Sequence, residues 1–411
     1  MLREREQTES ERHDGLVRLD VSLALKDRAL GAAAEGITIS DLSRPDNPLI
    51  YVNSGFEHLT GYSAASVLGK NCRFLQGPDT DPDAAEAIRR AVAEQRECTV
   101  EILNYRKDGS PFWNRLSVTP VRDGQGRVTH FIGVQSDITD RRRAEDGLRQ
   151  ANAKMRNDLA AAAKVQQAML PHTLPEAQGF RFAWRYRPCE ELAGDTLNCF
   201  WLDDTHIGVY ILDVSGHGVA ASLLSVTLSR MLLPIPGQSI LYTASATDPS
   251  GRSVTAPGVV AEKLNRQFPF DERTGQFFTM VYGVLDTKTA CFDYVSAGHP
   301  PLILLDADGT IRELRRDQFP VGIVPETSFA SDRIQLRPGE RLFLYTDGAT
   351  EAGDEMGQPY ETERLSETIA AGRDKTLDAT LGDAVTSIER FCGNATIRDD
   401  ISILGLEATA V

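Results

Sequence analysis

Two sets of residues in this sequence have types and spacing suited to chemistry, and they do not overlap. The first is built around a thiol, Cys72, in the run Gly69-Lys-Asn-Cys-Arg-Phe-Leu-Gln-Gly77. A single cysteine is most simply an inert small hydrophobe, so its neighbours carry the argument. Asn104 and Asn114 flank the Asp108-Gly109 turn almost symmetrically, which sets them near each other on paired strands. Gln135 lies one strand later, and each of the three amides can donate and accept. The second set is four aspartates, Asp195, Asp213, Asp347 and Asp399, each at the end of an apolar strand or beside a turn glycine. Aspartates so placed can converge at one edge of a sheet sandwich. Four carboxylates packed together repel, so the cluster implies divalent cations. Hard oxygen ligands favour Mg²⁺ or Mn²⁺ over zinc. Ser215 beside His217 is a weaker reading as a serine hydrolase, since a two-residue spacing in a Gly-rich turn does not make a triad. His217 and His299 read as loop-ordering residues rather than bases.

The elements that must position these residues alternate along the chain. Residues 1 to 30 have leucines near one face (Leu16, Leu19, Leu23, Leu30) and predict an amphipathic helix. From Gly36 to Asp140 the pattern is short strands and turns, with hairpins at Asp108-Gly109 and Asp123-Gly-Gln-Gly126. A run free of Gly and Pro from Leu148 to Leu170 predicts a helix. Within it Leu148, Asn152, Met155, Leu159, Ala162, Gln166 and Met169 alternate four and three apart, a weak and partly polar coiled-coil seam. A single amphipathic helix packed on a neighbouring domain is the other reading of that spacing. A buried Asn or Gln on such a seam costs stability but favours one register and a parallel dimer. From Phe180 onward, His206–Leu212, Thr279–Leu285, Pro301–Leu305 and Arg341–Tyr345 read as buried strands, and Gly218–Leu233 as a helix. Pro234–Pro257 has no clear period and reads as a mobile surface insertion.

Composition limits the function classes. The 411 residues allow two or three domains. A net charge of −15 argues against direct nucleic-acid binding. The one basic run, Arg141-Arg-Arg143, reads as a solvated first helical turn. No apolar run is long enough to span a bilayer, and the polar, acidic start does not resemble a signal peptide. The cytoplasm is therefore the expected compartment. The six cysteines (72, 98, 189, 199, 291 and 392) lie far apart with no CxxC, against a disulfide framework or a zinc ribbon.

The Gly69–Gly77 run, with Asn104 in Leu-Asn-Tyr-Arg-Lys-Asp-Gly, Asn114 in Phe-Trp-Asn-Arg-Leu and Gln135 in Ile-Gly-Val-Gln-Ser-Asp-Ile-Thr, resembles the LOV domains. These are flavin-binding blue-light sensors of the PAS superfamily, and the likeness runs from Gly36 to Thr139. It implies that Cys72 attacks carbon C4a of photoexcited FMN to form a reversible thioether. It implies further that Asn104 and Asn114 hold the pyrimidine edge, and that Gln135 flips when N5 gains a proton. Asn71 and Gln76 belong to the same pocket, Gln76 against the ribityl chain or ring. Arg73 and Arg89 would clamp the flavin phosphate, with a plain surface charge the alternative for Arg89.

The C-terminal half carries Val165-Gln-Gln-Ala-Met-Leu-Pro171, Ala193-Gly-Asp195, Leu212-Asp-Val-Ser-Gly-His-Gly218, Ser296-Ala-Gly-His-Pro300, Tyr345-Thr-Asp-Gly348 and Arg398-Asp-Asp-Ile401. These six in order resemble the metal-dependent PPM (PP2C-type) serine/threonine phosphatases, in particular the SpoIIE/RsbU-like bacterial branch that acts on anti-sigma-factor antagonists. The resemblance implies a site with two metals. Asp213 bridges both, the Val214 carbonyl completes a shell, Asp195 and Asp347 hold one metal each, and Asp399 (or its neighbour Asp400) serves the other side. A bridging water then attacks phosphorus in line. The chain departs from the family's Gly-Gly-Asp-Phe-Tyr-Asp at Ala193-Gly-Asp-Thr-Leu-Asn198, where an acid has become Asn198.

The expectation is thus a multidomain α+β chain. An N-terminal amphipathic helix (1–30) leads into a LOV sensor (31–139), a coiled-coil linker (140–171) and an α/β/β/α PPM sandwich (172–411). Its expected function is blue-light-regulated hydrolysis of phosphoserine or phosphothreonine on a small STAS-type antagonist, by a parallel homodimer, with neither nucleic acid nor membrane as partner. The rival is a light-switched scaffold that binds its partner without hydrolysis. A redox flavin sensor is a further rival, and Cys72 speaks against it.

Overall fold

A computed structural model describes Leu25 and residues 28–235, 239–244, 252–270 and 275–410. It divides into two compact units, 1–153 and 154–411. Of the expected N-terminal helix, Leu25 and residues 28–30 are helical, while Leu16, Leu19 and Leu23 lie outside the described residues. Among the described residues no helix is long and apolar enough to cross a membrane.

The first unit is a five-stranded antiparallel sheet. Its strands are β1 (Gly36–Asp41), β2 (Leu49–Val52), β3 (Cys98–Tyr105), β4 (Pro111–Arg122) and β5 (Val128–Asp137), in the order β2-β1-β5-β4-β3. Both hairpin turns fall where the sequence sets them: Tyr105 pairs with Pro111 across Asp108-Gly109, and Arg122 with Val128 across the second turn. The pleat then sorts side chains by parity. Ile102 faces Asn114, Asn104 faces Phe112, and Leu116 faces Gln135, so Asn104, Asn114 and Gln135 share one face. Over that face lie a 3₁₀ turn, Cys72–Leu75, and the helix Pro82–Ala93, whose Asp81 side chain caps the Asp83 N–H.

The helix Thr139–Gln167 follows β5 directly. Asp137 Oδ1 accepts from the Thr139 N–H (2.9 Å) and hydroxyl (2.6 Å), and Trp113 N–H donates to Thr139 Oγ1 (2.9 Å). Arg141 and Arg143 of the first turn are exposed, as a solvated basic run would be, but two of its charges are paired. Arg141 and Arg142 both pair with Glu101 on β3, and the Arg142 guanidinium stacks 4.5 Å from the Trp113 ring centroid. An acid on a neighbouring strand and an aromatic face hold two of the three arginines.

The second unit is a four-layer sandwich. Strands β6 (Phe180–Arg187), β7 (Thr196–Trp201), β8 (His206–Val214), β11 (Phe278–Asp286), β12 (Cys291–Ala297), β13 (Leu302–Leu305), β14 (Ile311–Leu314), β15 (Asp332–Gln335), β16 (Arg341–Tyr345) and β17 (Ile401–Ala408) make two antiparallel sheets. Their orders are β15-β12-β11-β8-β7 and β14-β13-β16-β17-β6. Central strands read as unbroken apolar runs because both faces are covered. In β8, Ile207, Val209 and Ile211 enter the core between the sheets, while Tyr210, Leu212 and Val214 pack on the helices Val219–Met231 and Pro257–Gln267. On the other sheet, Phe343, Tyr345, Ile401 and Ile403 face the helices Glu361–Ala371 and Leu377–Cys392. The insertion expected over 234–257 is partly built into the core. Tyr242–Ala244 (β9) pairs with Arg252–Val254 (β10), and Leu241 and Thr255 are buried. Residues 236–238 and 245–251 lie outside the described residues.

Candidate functional site

The first unit encloses a cavity of about 490 Å³ between the Asn/Gln face of the sheet and the 72–93 segment. Cys72, Asn71, Arg73, Gln76, Arg89, Asn104, Asn114 and Gln135 all line it. Asn114 Nδ2 donates to Asn104 Oδ1 at 2.9 Å and to Gln135 Oε1 at 3.4 Å, and Gln135 Nε2 donates to Cys72 Sγ at 3.7 Å. A relay of amides therefore ends on the thiol. Burial pushes the Cys72 thiol up to about 12, against the opposing hydrogen bond from Gln135, so it keeps its proton at neutral pH. Asn114 Oδ1 is buried without a partner, an acceptor that a bound molecule must satisfy.

The two arginines expected to clamp a phosphate line the cavity, each paired with an acid. Arg73 Nη1 lies 2.7 Å from Asp46 Oδ1, and Arg89 pairs with Glu86. A third arginine that the sequence did not single out, Arg44, lines the same cavity and pairs with Asp41 at 2.9 Å. The Arg73 and Arg89 pairs are exposed and weak enough to exchange for a stronger anion. Asn71 is partly committed to the loop, with Nδ2 donating to the Asp46 carbonyl at 2.6 Å and Oδ1 accepting from the Arg73 N–H at 3.0 Å.

In the second unit the aspartates gather where strand ends meet. Thr196 pairs with Leu212, so Asp195 and Asp213 face each other at the end of the β7/β8 ladder. Asp347 follows β16 and Asp399 precedes β17, neighbours in the other sheet. Asp195 Oδ2 bridges the sheets, accepting from Thr346 Oγ1 (2.7 Å) and Ser402 Oγ (2.6 Å). The cluster shows the strain of like charges. Burial first, then Asp347, Asp399 and Asp400, push Asp213 up to about 7. Burial, then Asp399 and Glu351, push Asp347 up to about 6. Asp195 and Asp399 are raised as well, each by burial first and then by neighbouring acids. Asp347 Oδ1 is buried without a partner. Among the described residues no three acidic, His or Cys side chains close into a ready-made cage for one ion.

Asp399 and Asp400 have different jobs. Asp400 is buried, and its carboxylate accepts from the backbone N–H groups of Cys189 (2.8 Å), Gly194 (2.8 Å) and Asp195 (3.4 Å). It anchors the loop before Asp195. Asp399, the more exposed of the two, accepts from the Asp400 N–H at 2.8 Å. A Cβ on Gly194 would lie 2.7 Å from the Val214 carbonyl oxygen, so glycine lets that carbonyl and the Asp195 loop approach. Asn198 uses its amide elsewhere, accepting from the Cys199 N–H and donating to the Met169 carbonyl at 3.4 Å. His299 Nδ1 lies 2.7 Å from Thr279 Oγ1, and burial pushes this histidine down to about 3, so it is neutral. His217 lies 3.4 Å from Glu190. Thr346, Ser402 and Asp400 sit inside motifs already quoted, yet hydroxyls beside aspartates have no spacing signature of their own.

The family model described as Stage II sporulation protein E (SpoIIE) matches residues 203–409, just over half of the chain. The chain belongs to the SpoIIE family. A PAS-domain model matches residues 34–140. The fold of the SpoIIE part is that of the SiaA-PP2C domain of Pseudomonas aeruginosa, which is 19% identical with a TM-score of 0.50, over 62% of this chain and 98% of that one. The PAS part is similar to Phototropin-2 of Oryza sativa subsp. japonica, 52% identical over 31% of this chain and 14% of that protein. It is also similar to a blue-light-activated histidine kinase of Rhizobium johnstonii, 50% identical over 26% of this chain and 32% of that protein. The chain thus spans a third or less of these relatives' own length. It joins a LOV-type PAS sensor domain to a SpoIIE/PP2C-type phosphatase domain.

Proposed function

We propose that this chain is a blue-light-regulated, metal-dependent serine/threonine phosphoprotein phosphatase. The observation that carries the reading is the set of Asp195, Asp213, Asp347 and Asp399, drawn from both sheets to one edge with their acidities mutually raised. Such a set is unstable alone and is relieved by cations. The unpartnered Asp347 Oδ1 fits that role. Two Mn²⁺ or Mg²⁺ ions, when bound, supply charge neutralisation and an acidified water. Asp213 lies across the ladder from Asp195 and feels the charges of Asp347 and Asp399, which suits it to be shared by both ions, with the Val214 carbonyl next in sequence. Asp399 rather than Asp400 is the ligand, because the Asp400 carboxylate is taken up by backbone N–H groups. Asn198 does not argue for a dead enzyme, since its donated bond to Met169 is one that an ionised acid cannot make.

The cofactor of the sensor domain is FMN, held by Asn104, Asn114 and Gln135, with Arg73 and Arg89 moving from their carboxylate partners to its phosphate. Asn71 and Gln76 complete the pocket wall. The flavin, when bound, supplies absorption of blue light and an electrophilic carbon, and Cys72 supplies a thiol that still carries its proton. The unpartnered Asn114 Oδ1 and the cavity volume support that fit. The substrate is a small phosphorylated STAS-type antagonist, and the active form is a parallel homodimer through residues 140–171. Exposed Leu148 and Met155 on the linker helix support a partner along that stripe. The test is phosphate release from a phosphoserine STAS protein, in darkness and in blue light, with and without Mn²⁺. Release that is absent in both lights at saturating Mn²⁺ would favour the non-hydrolysing scaffold.

A further inference from the structure

Gln166 lies in the last turn of the helix Thr139–Gln167, at a position that heptad spacing assigns to the seam. It does not face a seam. Its side chain is 7% exposed and is enclosed by the phosphatase unit. Gln166 Nε2 donates to the Ala193 carbonyl (2.6 Å) and to Ser225 Oγ (2.9 Å), and Gln166 Oε1 accepts from the Ala193 N–H (3.1 Å). One amide therefore grips both polar groups of the Ala193 backbone, two residues before Asp195. The following residue is held from other sides, by Asp400 Oδ2 on the Gly194 N–H and by the close Val214 carbonyl. Of these restraints, the grip on Ala193 alone comes from the linker helix.

We infer that Gln166 is a positioning residue of the cation site: it fixes the backbone that aims Asp195, and so makes cation affinity depend on the last turn of the linker helix. The inference rests on the metal-dependent reading above. Asp195 already has its Oδ2 oriented by Thr346 and Ser402. The position of its Cα is set by two backbone grips, that of Asp400 on the Gly194 and Asp195 N–H groups and that of Gln166 on Ala193. Outer-shell partners of this kind change metal affinity about 10–100-fold when removed.

The test measures Mn²⁺ binding to the full chain in the dark, reading the free ion by electron paramagnetic resonance, with turnover against Mn²⁺ in parallel. Gln166→Met keeps volume and helix propensity and loses the three hydrogen bonds. Ser225→Ala removes one acceptor and leaves the Ala193 grip. The expected result is a rise of about tenfold or more in the Mn²⁺ dissociation constant for Gln166→Met, with turnover recovered at saturating Mn²⁺, and a smaller rise for Ser225→Ala. Turnover that saturating Mn²⁺ does not recover would mean a purely structural role and overturn the inference. So would wild-type affinity in Gln166→Met, or, should that variant not fold, wild-type affinity in Gln166→Glu, which keeps an acceptor for the Ala193 N–H and loses both donated bonds. These outcomes leave the metal reading intact. A wild-type chain with no saturable Mn²⁺ binding would overturn both.

Discussion

Replacing Asp213 by Asn should stabilise the metal-free protein at neutral pH while destroying its function. Asp213 titrates at 3.8 when unperturbed and is pushed up to about 7 in the fold, chiefly by burial and then by Asp347, Asp399 and Asp400. Between these values the native state binds a proton that the unfolded chain has released. Stability therefore falls as pH rises from 4 to 7 and stays low above 7. At 1.36 kcal/mol per pH unit, the span amounts to on the order of 4 kcal/mol. Asp347, pushed up to about 6, acts in the same direction but shares the same repulsion, so the two do not add. Asparagine keeps the shape and removes the charge. In EDTA at pH 8, Asp213→Asn should melt several degrees above wild type, at about 2–4 °C per kcal/mol for a domain of this size. The gap should close by pH 4–5, and saturating Mn²⁺ should lift the wild type far more than the variant. Circular dichroism melts across pH 4–8, with and without Mn²⁺, give the result. A variant less stable than wild type in EDTA at pH 8, or a wild-type stability flat across that range, would refute the picture of a repelling acid cluster.

Three further outcomes follow from the same geometry. Cys72→Ala should keep the flavin, because Asn104, Asn114 and Gln135 hold it independently, but lose the reversible bleaching of its blue absorption band; an absorbance spectrum before and after illumination decides it, and preserved bleaching removes Cys72 from the photochemistry. Asp213→Ala should abolish phosphate release at saturating Mn²⁺ and leave the photocycle untouched, and near-normal turnover would remove Asp213 from the cation site. Asn152→Leu should tighten the dimer and flatten the light/dark ratio of turnover, since Asn152 is exposed along the unpinned stretch of the linker helix. Analytical ultracentrifugation with the assay checks both, and a monomer in light and dark would sink the dimer.

Much of the architecture was legible because its signals are local. The symmetric placement of Asn104 and Asn114 about a two-residue turn dictated their contact, since register in a hairpin follows from the turn. Strands buried on both faces announce themselves as apolar runs, and an aspartate at the end of such a run must sit at a sheet edge. What escaped was set by partners distant in sequence. Nothing near Arg141 and Arg142 indicates Glu101 or Trp113. Nothing beside Arg73 points to Asp46, 27 residues away, whereas Glu86 stands three residues before Arg89 on one helix, a spacing the sequence does show. Leu241 and Tyr242 are too few to give a period, so a hairpin was mistaken for loose chain. Asp399 and Asp400 could not be separated by spacing, because burial, not position, gives them different partners.

Gln166 shows why heptad spacing misleads at the end of a linker. Periods of 3.5 and 3.6 residues place the same side chains on one stripe for several turns. The pattern cannot tell a partner helix from the surface of a domain. Here the stripe changes owner along the helix: Leu148, Asn152 and Met155 are exposed, whereas Gln166 is buried in the phosphatase unit. One end is held by Asp137, Trp113 and Glu101, the other by Ala193 and Ser225. On the light-regulated reading proposed above, a signal that reaches the cation site along this 29-residue helix acts by releasing the Gln166 grip. The size of the signal is then bounded by the grip it can release. Hydrogen bonds of this kind contribute about 0.5–1.5 kcal/mol net each, so three of them allow a light/dark ratio in cation affinity of roughly 10-fold to 2,000-fold and no more. A larger measured ratio would require a second moving part in the phosphatase unit.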